Sequence, residues 1–258
     1  MFAFTVLAVC VTACLGAVPI PFIQDYDERI VGGLPANITN FPYQVAMELH
    51  LPFFDGLNCG GSIISADWVV LAAHCVKGSI PSEVTIRAGT SFVGTGGSVH
   101  SVSEIISHPD YKDKDYDIAL IKVLEPFIFS ESIQKIPLTS QTPPAGTSVV
   151  VSGWGTLSSD GPWPSQLQQV EINIVDFDDC TKIYEPIHVI TPRMICAGVP
   201  EGGKDSCEGD SGGPVVSEGK LVGIVSWAYG CAARGYPGVN ADVAVLRSWI
   251  ESHTGVLN

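Results

Sequence analysis

Charged side chains are scarce in this sequence, and the positively charged ones are the scarcest. Asp, Glu, Lys and Arg make up 16% of the 258 residues, whereas apolar residues make up 46%. This composition excludes an intrinsically disordered chain, which combines low hydrophobicity with high charge density. The 13 Lys and Arg against 27 Asp and Glu give a formal net charge of −14. Because phosphate binding requires clustered cations, the sequence predicts no nucleic-acid partner.

Long apolar runs are also missing. No stretch reaches the roughly 20 residues that a membrane-spanning helix needs, so no membrane partner is predicted. The apolar run from Phe2 to Leu15 carries no charge and is followed by Gly16 and Ala17. Such a run is typical of a signal peptide, so we expect residues 1–17 to direct the protein out of the cell, to an extracellular location. No Lys or Arg precedes the run, and a buried N-terminal strand or helix is the alternative.

The cysteines include no CxxC pair, so a zinc site is not predicted, and nothing in the sequence indicates a cofactor. Two of the eight cysteines lie in the expected signal peptide. The other six are Cys59, Cys75, Cys180, Cys196, Cys207 and Cys231. An even number in an exported chain indicates three disulfides, but the spacing does not choose among the pairings.

The pattern along the chain favours many short strands. Val170, Ile172 and Ile174 alternate with polar residues, as on a half-buried strand. Apolar runs at 149–151 and 221–225 predict strands buried on both faces, and Gly-rich turns interrupt the strands. Helical periodicity is evident only at the C-terminus, where Val245, Leu246, Trp249 and Ile250 share one face. We therefore predict an all-β fold with a terminal α-helix.

Three short motifs contain residue types that together support nucleophilic catalysis. Ser211 lies between glycines in Gly209-Asp210-Ser211-Gly212-Gly213-Pro214, where the backbone can turn sharply and direct N–H groups at an oxyanion. A serine needs a base oriented by a third group. His74 in Ala72-Ala73-His74-Cys75 and Asp117 in Asp117-Ile118-Ala119-Leu120 are candidates for those two roles. Each residue alone is more often structural, and only their combination points to catalysis.

In this order, the three motifs resemble those of the trypsin family of serine proteases. The resemblance covers the chain from residue 30 onward, and further matching segments are Ile30-Val31-Gly32-Gly33, Cys59-Gly60-Gly61-Ser62, Gly153-Trp154-Gly155, Cys196-Ala197-Gly198, Ser226-Trp227 and Pro237-Gly238-Val239. It implies a chymotrypsin-like fold of two antiparallel six-stranded β-barrels with the C-terminal helix. It also implies a serine endopeptidase with no metal or other cofactor.

The resemblance assigns roles to individual residues. His74, Asp117 and Ser211 would be the catalytic triad, and the N–H groups of Gly209 and Ser211 would form the oxyanion hole. The implied disulfides are Cys59–Cys75, Cys180–Cys196 and Cys207–Cys231. The implied substrate-binding residues are Asp205, Ser226, Trp227, Ala228 and Gly238. Asp205 would carry the carboxylate that selects Arg or Lys, because a buried carboxylate favours a cationic partner over an apolar one.

The family also implies activation from a zymogen. Residues 18–29 would be a propeptide that is cleaved between Arg29 and Ile30. The new amino group of Ile30 would then be buried beside Asp210, where it would neutralise a carboxylate that is costly to bury alone. The protease domain would span residues 30–258, with barrel one at about 30–135, a linker at about 136–147, and barrel two with the helix at about 148–258.

Several departures from the usual trypsin pattern leave alternatives open. Because Ala228 and Asn240 lie near the expected pocket, one alternative is an active protease with a chymotrypsin-like or elastase-like preference. A second alternative is an inactive homologue that acts as a binding protein. The segment 88–99 has no Asp or Glu, so we predict no calcium site there. Asn37 is in a candidate N-glycosylation sequon. We expect a monomer with a digestive role, and a regulatory protease is the alternative role. The expected partners are polypeptide substrates with Arg or Lys before the cut and proteinaceous protease inhibitors.

Overall fold

The protein was analysed as a computed structural model, which describes residues 30–159 and 161–256. The expected signal peptide at 1–17 and the propeptide at 18–29, with Arg29, lie outside the described residues. Within them the chain forms thirteen β-strands and two α-helices, with short 3₁₀ turns at Ile38–Asn40, Ala73–Val76 and Pro81–Glu83.

The first half of the chain closes into a six-stranded antiparallel barrel. Its strands are β2 (Gln44–Leu51), β3 (Phe54–Ile63), β4 (Trp68–Leu71), β5 (Val84–Ala88), β6 (Ser98–Ser107) and β7 (Ala119–Val123). They neighbour one another in the order β2-β3-β4-β7-β6-β5, and β5 pairs back with β2. Closure leaves no long unpaired edge, and the inward-facing side chains form a packed apolar core.

The second half forms another antiparallel barrel of six strands. They are β8 (Ser148–Gly153), β9 (Gln168–Ile174), β10 (Met194–Gly198), β11 (Pro214–Ser217), β12 (Lys220–Trp227) and β13 (Gly238–Asp242). The order is β9-β10-β13-β12-β11-β8, and the pairing of β8 with β9 closes the barrel. The two-residue strand β1 (Leu34–Pro35) pairs antiparallel with Gln168 and Gln169 of β9. The expected all-β, two-barrel fold is thus confirmed.

The strand predictions agree with the observed burial. In β9, Val170, Ile172 and Ile174 point into the core of barrel two, and the residues between them are more exposed. The run at 221–225 is buried throughout within β12. In β8, Val149 and Val151 are buried, but Val150 is only half-buried, so this strand does not have two equally buried faces.

Two helix predictions need correction. The sequence indicated helix only at the C-terminus, yet α1 (Phe177–Tyr184) precedes α2 (Val243–Thr254). Helix α1 is too short for a clear period, and its signal is the N-cap Asp176, whose carboxylate accepts hydrogen bonds from two N–H groups of the first turn. In α2 the inner face includes Val243, Leu246 and Ile250, whereas Val245 is exposed, so the predicted apolar face was wrong by one residue.

Three disulfides join segments close in sequence. They are Cys59–Cys75, Cys180–Cys196 and Cys207–Cys231, the pairing that the resemblance implied. Each closes a loop of 16 or 24 residues, and such a loop contributes on the order of 3 kcal/mol by chain entropy. Between residues 30 and 256, apart from residue 160, no helix has the length and apolarity required to cross a membrane.

Candidate active site

Two hydrogen bonds join His74 and Asp117, which both belong to barrel one. His74 lies in the 3₁₀ turn that follows β4, and Asp117 lies two residues before β7. The backbone N–H of His74 donates to Asp117 Oδ1 over 2.9 Å, and His74 Nδ1 is 2.7 Å from Asp117 Oδ2. Asp117 is 3% exposed, whereas His74 is half-buried. The carboxylate therefore fixes both the backbone and the ring of His74 and leaves Nε2 as the ring nitrogen that Asp117 does not engage.

A third donor reaches Asp117 from the other barrel. Ser226, near the end of β12, donates its hydroxyl to Asp117 Oδ2 over 2.5 Å. The resemblance placed Ser226 among the substrate-binding residues, and the sequence did not predict this contact. Asp117 thus accepts from three donors, and these contacts fix the position of its carboxylate beside the His74 ring.

Ser211 lies where the two barrels meet. Its carbonyl accepts a hydrogen bond of 2.8 Å from Gly60 N in β3 of barrel one. The next residue, Gly212, is so close to barrel one that a Cβ there would lie 3.2 Å from Ala72 N, two residues before His74. His74 Nε2 is 3.8 Å from Cys75 Sγ, and among the described residues it forms no hydrogen bond with Ser211 Oγ. In free enzymes of this chemistry such contacts are often long and shorten when substrate binds.

Two backbone donors beside Ser211 have no acceptor. Among residues 30–159 and 161–256, neither Gly209 N–H nor Ser211 N–H donates a hydrogen bond, whereas Gly212 N and Gly213 N donate to the carbonyls of Val225 and Asp210. Gly209 has a φ of +92°, a conformation that favours glycine. Unpaired N–H groups next to a nucleophile are suited to binding an oxyanion.

Trp163 packs against this turn and was not predicted from the sequence. A Cβ on Gly209 would collide with the six-membered ring of Trp163, so the indole covers the outer side of the Gly209 α-carbon. Trp163 is exposed and lies in the loop between β8 and β9. No local sequence pattern indicates that contact, because the two residues are far apart in the chain.

A cavity of about 300 Å³ opens next to Ser211. Its lining includes Ser226, Trp227 and Ala228, three of the five expected substrate-binding residues, together with Ser206, Cys207, Glu208, Val225, Gly230 and Cys231. The disulfide Cys207–Cys231 joins two lining segments. Asn240, by contrast, turns away and donates from Nδ2 to the carbonyl of Ile195 over 3.1 Å.

Asp205 lies behind the lining residue Ser206 and is 2% exposed. Its Oδ1 accepts a hydrogen bond of 2.8 Å from Ser206 N, whereas the buried Oδ2 has no partner among the described residues. Burial raises the pKa of Asp205 to about 7, although the hydrogen bond from Ser206 N–H acts in the opposite direction. On the other side, a Cβ on Gly238 would lie 2.6 Å from Asp205 Oδ1, so only glycine leaves room there.

Asp210, one residue before Ser211, is fully buried. Its oxygens accept hydrogen bonds from Gly155 N at 2.8 Å and Cys207 N at 2.9 Å. Burial raises the pKa of Asp210 to about 6, and these two N–H donors lower it only in part. The side chain of Ile30 is buried in the core of barrel two. The backbone carbonyl of the following residue, Val31, accepts a hydrogen bond from Asp205 N.

The described residues contain one cluster with metal-ligand chemistry, and it does not fit a metal. Cys59, His74 and Cys75 lie close together, but the two sulfurs are joined in a disulfide and cannot act as thiolate ligands.

At Asn37 the side chain is exposed and accepts a hydrogen bond from Thr39 N, as the N-cap of a 3₁₀ turn. Glycosylation of Asn37 stays a prediction.

Comparisons with known proteins agree with this geometry. The family model described as Trypsin matches residues 30–250. The chain is 45% identical over 258 residues to Trypsin delta of Drosophila melanogaster, covering 98% of this chain and 100% of the relative. It is 43% identical over 256 residues to Trypsin alpha-4 of Lucilia cuprina, covering 98% of each. It is also 42% identical over 251 residues to the Vitellin-degrading protease of Bombyx mori, covering 96% of this chain and 94% of the relative.

Proposed function

Because the chain belongs to the trypsin family of serine proteases, we propose that it cleaves polypeptides after Arg or Lys with His74, Asp117 and Ser211 as its catalytic triad. Ser211 Oγ attacks the scissile carbonyl carbon while His74 Nε2 takes the hydroxyl proton. The tetrahedral oxyanion receives hydrogen bonds from Gly209 N–H and Ser211 N–H. His74 then protonates the leaving amine, and a water molecule hydrolyses the acyl-enzyme by the same route.

Asp117 keeps the ring of His74 in the tautomer that has Nε2 free to accept a proton. The two contacts from His74 and the hydroxyl of Ser226 give Asp117 three donors, and in this position the side chain stabilises the imidazolium that forms during the reaction. In this proposal the base and its orienting group belong to barrel one and the nucleophile belongs to barrel two. The scissile bond therefore lies between the two barrels.

The observation that supports Arg or Lys preference is the unpartnered Oδ2 of Asp205. A buried carboxylate oxygen without a donor is costly, and a guanidinium or ammonium from the substrate supplies both charge and hydrogen bonds. An apolar side chain in the pocket leaves that oxygen unpaired. Sites built to hydrogen-bond a substrate group reject an analogue lacking that group by about 10⁴ or more. The absence of a side chain at Gly238 keeps the approach to Asp205 open.

Activation follows from the same charge argument. Asp210 has only backbone donors among the described residues, so the carboxylate lacks a cation. In the proposal, cleavage after Arg29 frees an ammonium at Ile30, which pairs with Asp210 and stabilises the turn carrying the oxyanion donors. Residues 1–17 then act as the signal peptide of an extracellular protein, 18–29 as the propeptide, and 30–258 as the protease domain.

We also propose a digestive role, with breakdown of bulk protein and inhibition by proteinaceous protease inhibitors. The names of three relatives support it, two of them trypsins and one a vitellin-degrading protease. Asn240 offers no support for an elastase-like or chymotrypsin-like pocket, because its amide bonds to the Ile195 carbonyl. The intact triad argues against an inactive binding protein.

The test is hydrolysis of matched peptides that differ only in the residue before the cut, namely Arg, Lys, Phe or Ala. We expect kcat/KM for Arg and Lys to exceed that for Phe and Ala by about 10⁴-fold or more. Ser211→Ala should abolish all turnover, and Asp205→Asn should remove the preference for Arg and Lys while the triad remains. Preferential cleavage after Phe or Ala would overturn the proposed specificity.

Activation is tested with Arg29→Gln. The variant should be secreted and folded but inactive, because the Ile30 amino group is never released. Activity should return when the variant's propeptide is instead removed by a protease directed to an engineered site ending at residue 29. Full activity of the uncleaved Arg29→Gln protein would contradict the activation mechanism.

A further inference from the structure

Lys114 lies next to the substrate-binding wall, although it belongs to the other barrel. Its ammonium is 4.1 Å from the ring centroid of Trp227, a distance at which a cation is attracted to an aromatic face. Lys114 is exposed, and among the described residues it forms no ion pair with a carboxylate. A free positive charge thus sits over the residue that borders the cavity beside Ser211.

The backbone holds Lys114 in that place. Asp113 and Lys114 have φ values of +48° and +70°, which few non-glycine residues adopt without compensating contacts. Those contacts come from barrel two. His188 Nε2 is 2.9 Å from the Asp113 carbonyl, and Asp115 is bound by Arg193 and by the hydroxyl of Thr191 at 2.7 Å.

The same contacts leave Lys114 available for a substrate. The carboxylate of Asp115 is occupied by Arg193 and Thr191. Partial burial raises the pKa of Asp115, but the hydrogen bonds from these two residues outweigh burial and hold that pKa below its usual value. Asp113 is 4.0 Å from Lys112, on the exposed side of the loop. The two neighbouring carboxylates are therefore directed to other cations.

The end of β12 shows where a substrate chain would pass. Strand β11 pairs with β12 only as far as Ile224, so the β11 side of β12 is open at Ser226 and Trp227. An extended substrate can add to such an edge. Side chains alternate along an extended chain, so if the residue before the cut enters the cavity, the preceding one points to the opposite side, towards barrel one. That side chain passes His74 and the Trp227–Lys114 pair.

We propose that Lys114 makes the enzyme prefer substrates with Asp or Glu as the second residue before the scissile bond. The inference rests on the proposed function, because it concerns the same cleft and the same bound chain. The ammonium stays near the Trp227 face and pairs with the substrate carboxylate. Since the pair is exposed, the gain is that of a surface ion pair, roughly threefold in kcat/KM, and it decreases with added salt.

The test uses peptides that all have Arg before the cut and differ only in the preceding residue, as Asp against Asn and Glu against Gln. In the activated wild-type protein we expect kcat/KM for each acid to exceed that for its amide by about threefold at low salt. Lys114→Met should bring both ratios to about one, Lys114→Arg should retain them, and Lys114→Glu should invert them. Lys135→Met, at an exposed lysine outside this loop, is the matched control and should retain the wild-type ratios.

The outcomes separate the two proposals. If no Arg peptide is cleaved by correctly activated protein, the proposed function fails. If Arg peptides are cleaved but the wild-type ratios are near one, the role of Lys114 is wrong. It is also wrong if the ratios survive in Lys114→Met or fall equally in Lys135→Met, because then the preference comes from the general charge of the protein.

Discussion

Ser226 and Asp117 are joined by a hydrogen bond of 2.5 Å between a hydroxyl on barrel two and a carboxylate on barrel one. The bond reaches the same oxygen, Oδ2, that contacts His74 Nδ1 at 2.7 Å. A residue that lines the cavity and the proposed catalytic base are thus connected through one carboxylate. This hydrogen bond joins the two barrels at the candidate site.

Asp117→Asn tests the orienting role of this carboxylate. An amide can donate to His74 Nδ1 and so favours the tautomer with a proton on Nε2, which cannot accept the proton of Ser211. In the prototype of this family the same exchange lowers kcat by about 10⁴, and we expect a loss of that order here. The measurement is kcat for an Arg peptide. A loss of less than tenfold would count against the assignment.

Ser226→Ala tests the bond between the barrels. The variant removes one of three donors to Asp117 and leaves both bonds to His74, so the effect should be much smaller than that of Asp117→Asn. A hydrogen bond to a charged group is worth about 1.5 kcal/mol or more, so we expect kcat to fall about tenfold. Ser206→Ala, whose hydroxyl lies on the cavity but does not contact Asp117, is the comparison. An equal loss in both variants would point to the cavity and not to Asp117.

The pH dependence of cation binding tests the state of Asp205. Burial raises its pKa to about 7, so in the free enzyme the carboxyl is neutral at lower pH and ionised at higher pH. A bound amidinium favours the ionised form. Its affinity should therefore increase about tenfold per pH unit as the pH rises towards 7 and level off above that value.

The measurement is direct binding of an aromatic amidine between about pH 5 and 9, a range that brackets this titration. A His74→Ala background removes the imidazole as a second titrating group in the cleft. In that background Asp205→Asn should bind weakly at every pH and lose the slope. A slope that persists in Asp205→Asn would assign the titration to another group.

Gly238→Val tests access to Asp205. A Cβ at this position would lie 2.6 Å from Asp205 Oδ1, so a branched side chain fills the space in front of the carboxylate. We expect kcat/KM for Arg peptides to fall by about 10³ or more, while hydrolysis of a small ester that does not enter the pocket falls far less. Ala145→Val is the control, because it adds a branched side chain at an exposed position before β8. Equal losses on both substrates would indicate misfolding.

The sequence patterns predicted an all-β chain and a candidate triad because their signals are local, whereas the two barrels were implied by the resemblance to the trypsin family. Strand alternation, Gly-rich turns and the motifs around His74, Asp117 and Ser211 are each contained within a few residues. The contacts that complete the site are not local. The bond from Ser226 to Asp117 spans 109 residues, and neither Lys114 against Trp227 nor Trp163 against Gly209 has any signature in its neighbouring sequence. Helix α1 was missed because eight residues give too short a period to detect.

The segment between β5 and β6 is where the sequence predicts that no calcium is bound. Its backbone is held by side chains of the protein. Thr90 Oγ1 accepts from Phe92 N at 3.0 Å and donates to the Thr95 carbonyl at 2.9 Å. Arg87 donates to the Gly96 carbonyl at 2.9 Å. Two carbonyls of this turn are thus already occupied by protein donors, and the segment 88–99 has no carboxylate to add.

We therefore expect a chelator to leave the Tm of the activated protein unchanged, and added calcium to have no effect. Thr90→Val should lower the free energy of unfolding by about 1–2 kcal/mol, because it removes both hydrogen bonds of a buried hydroxyl. Thr95→Val, an exposed change in the same turn, should have almost no effect. Calcium-dependent stabilisation of the wild-type protein, or equal destabilisation by the two valine variants, would show that this turn is not held together by Thr90.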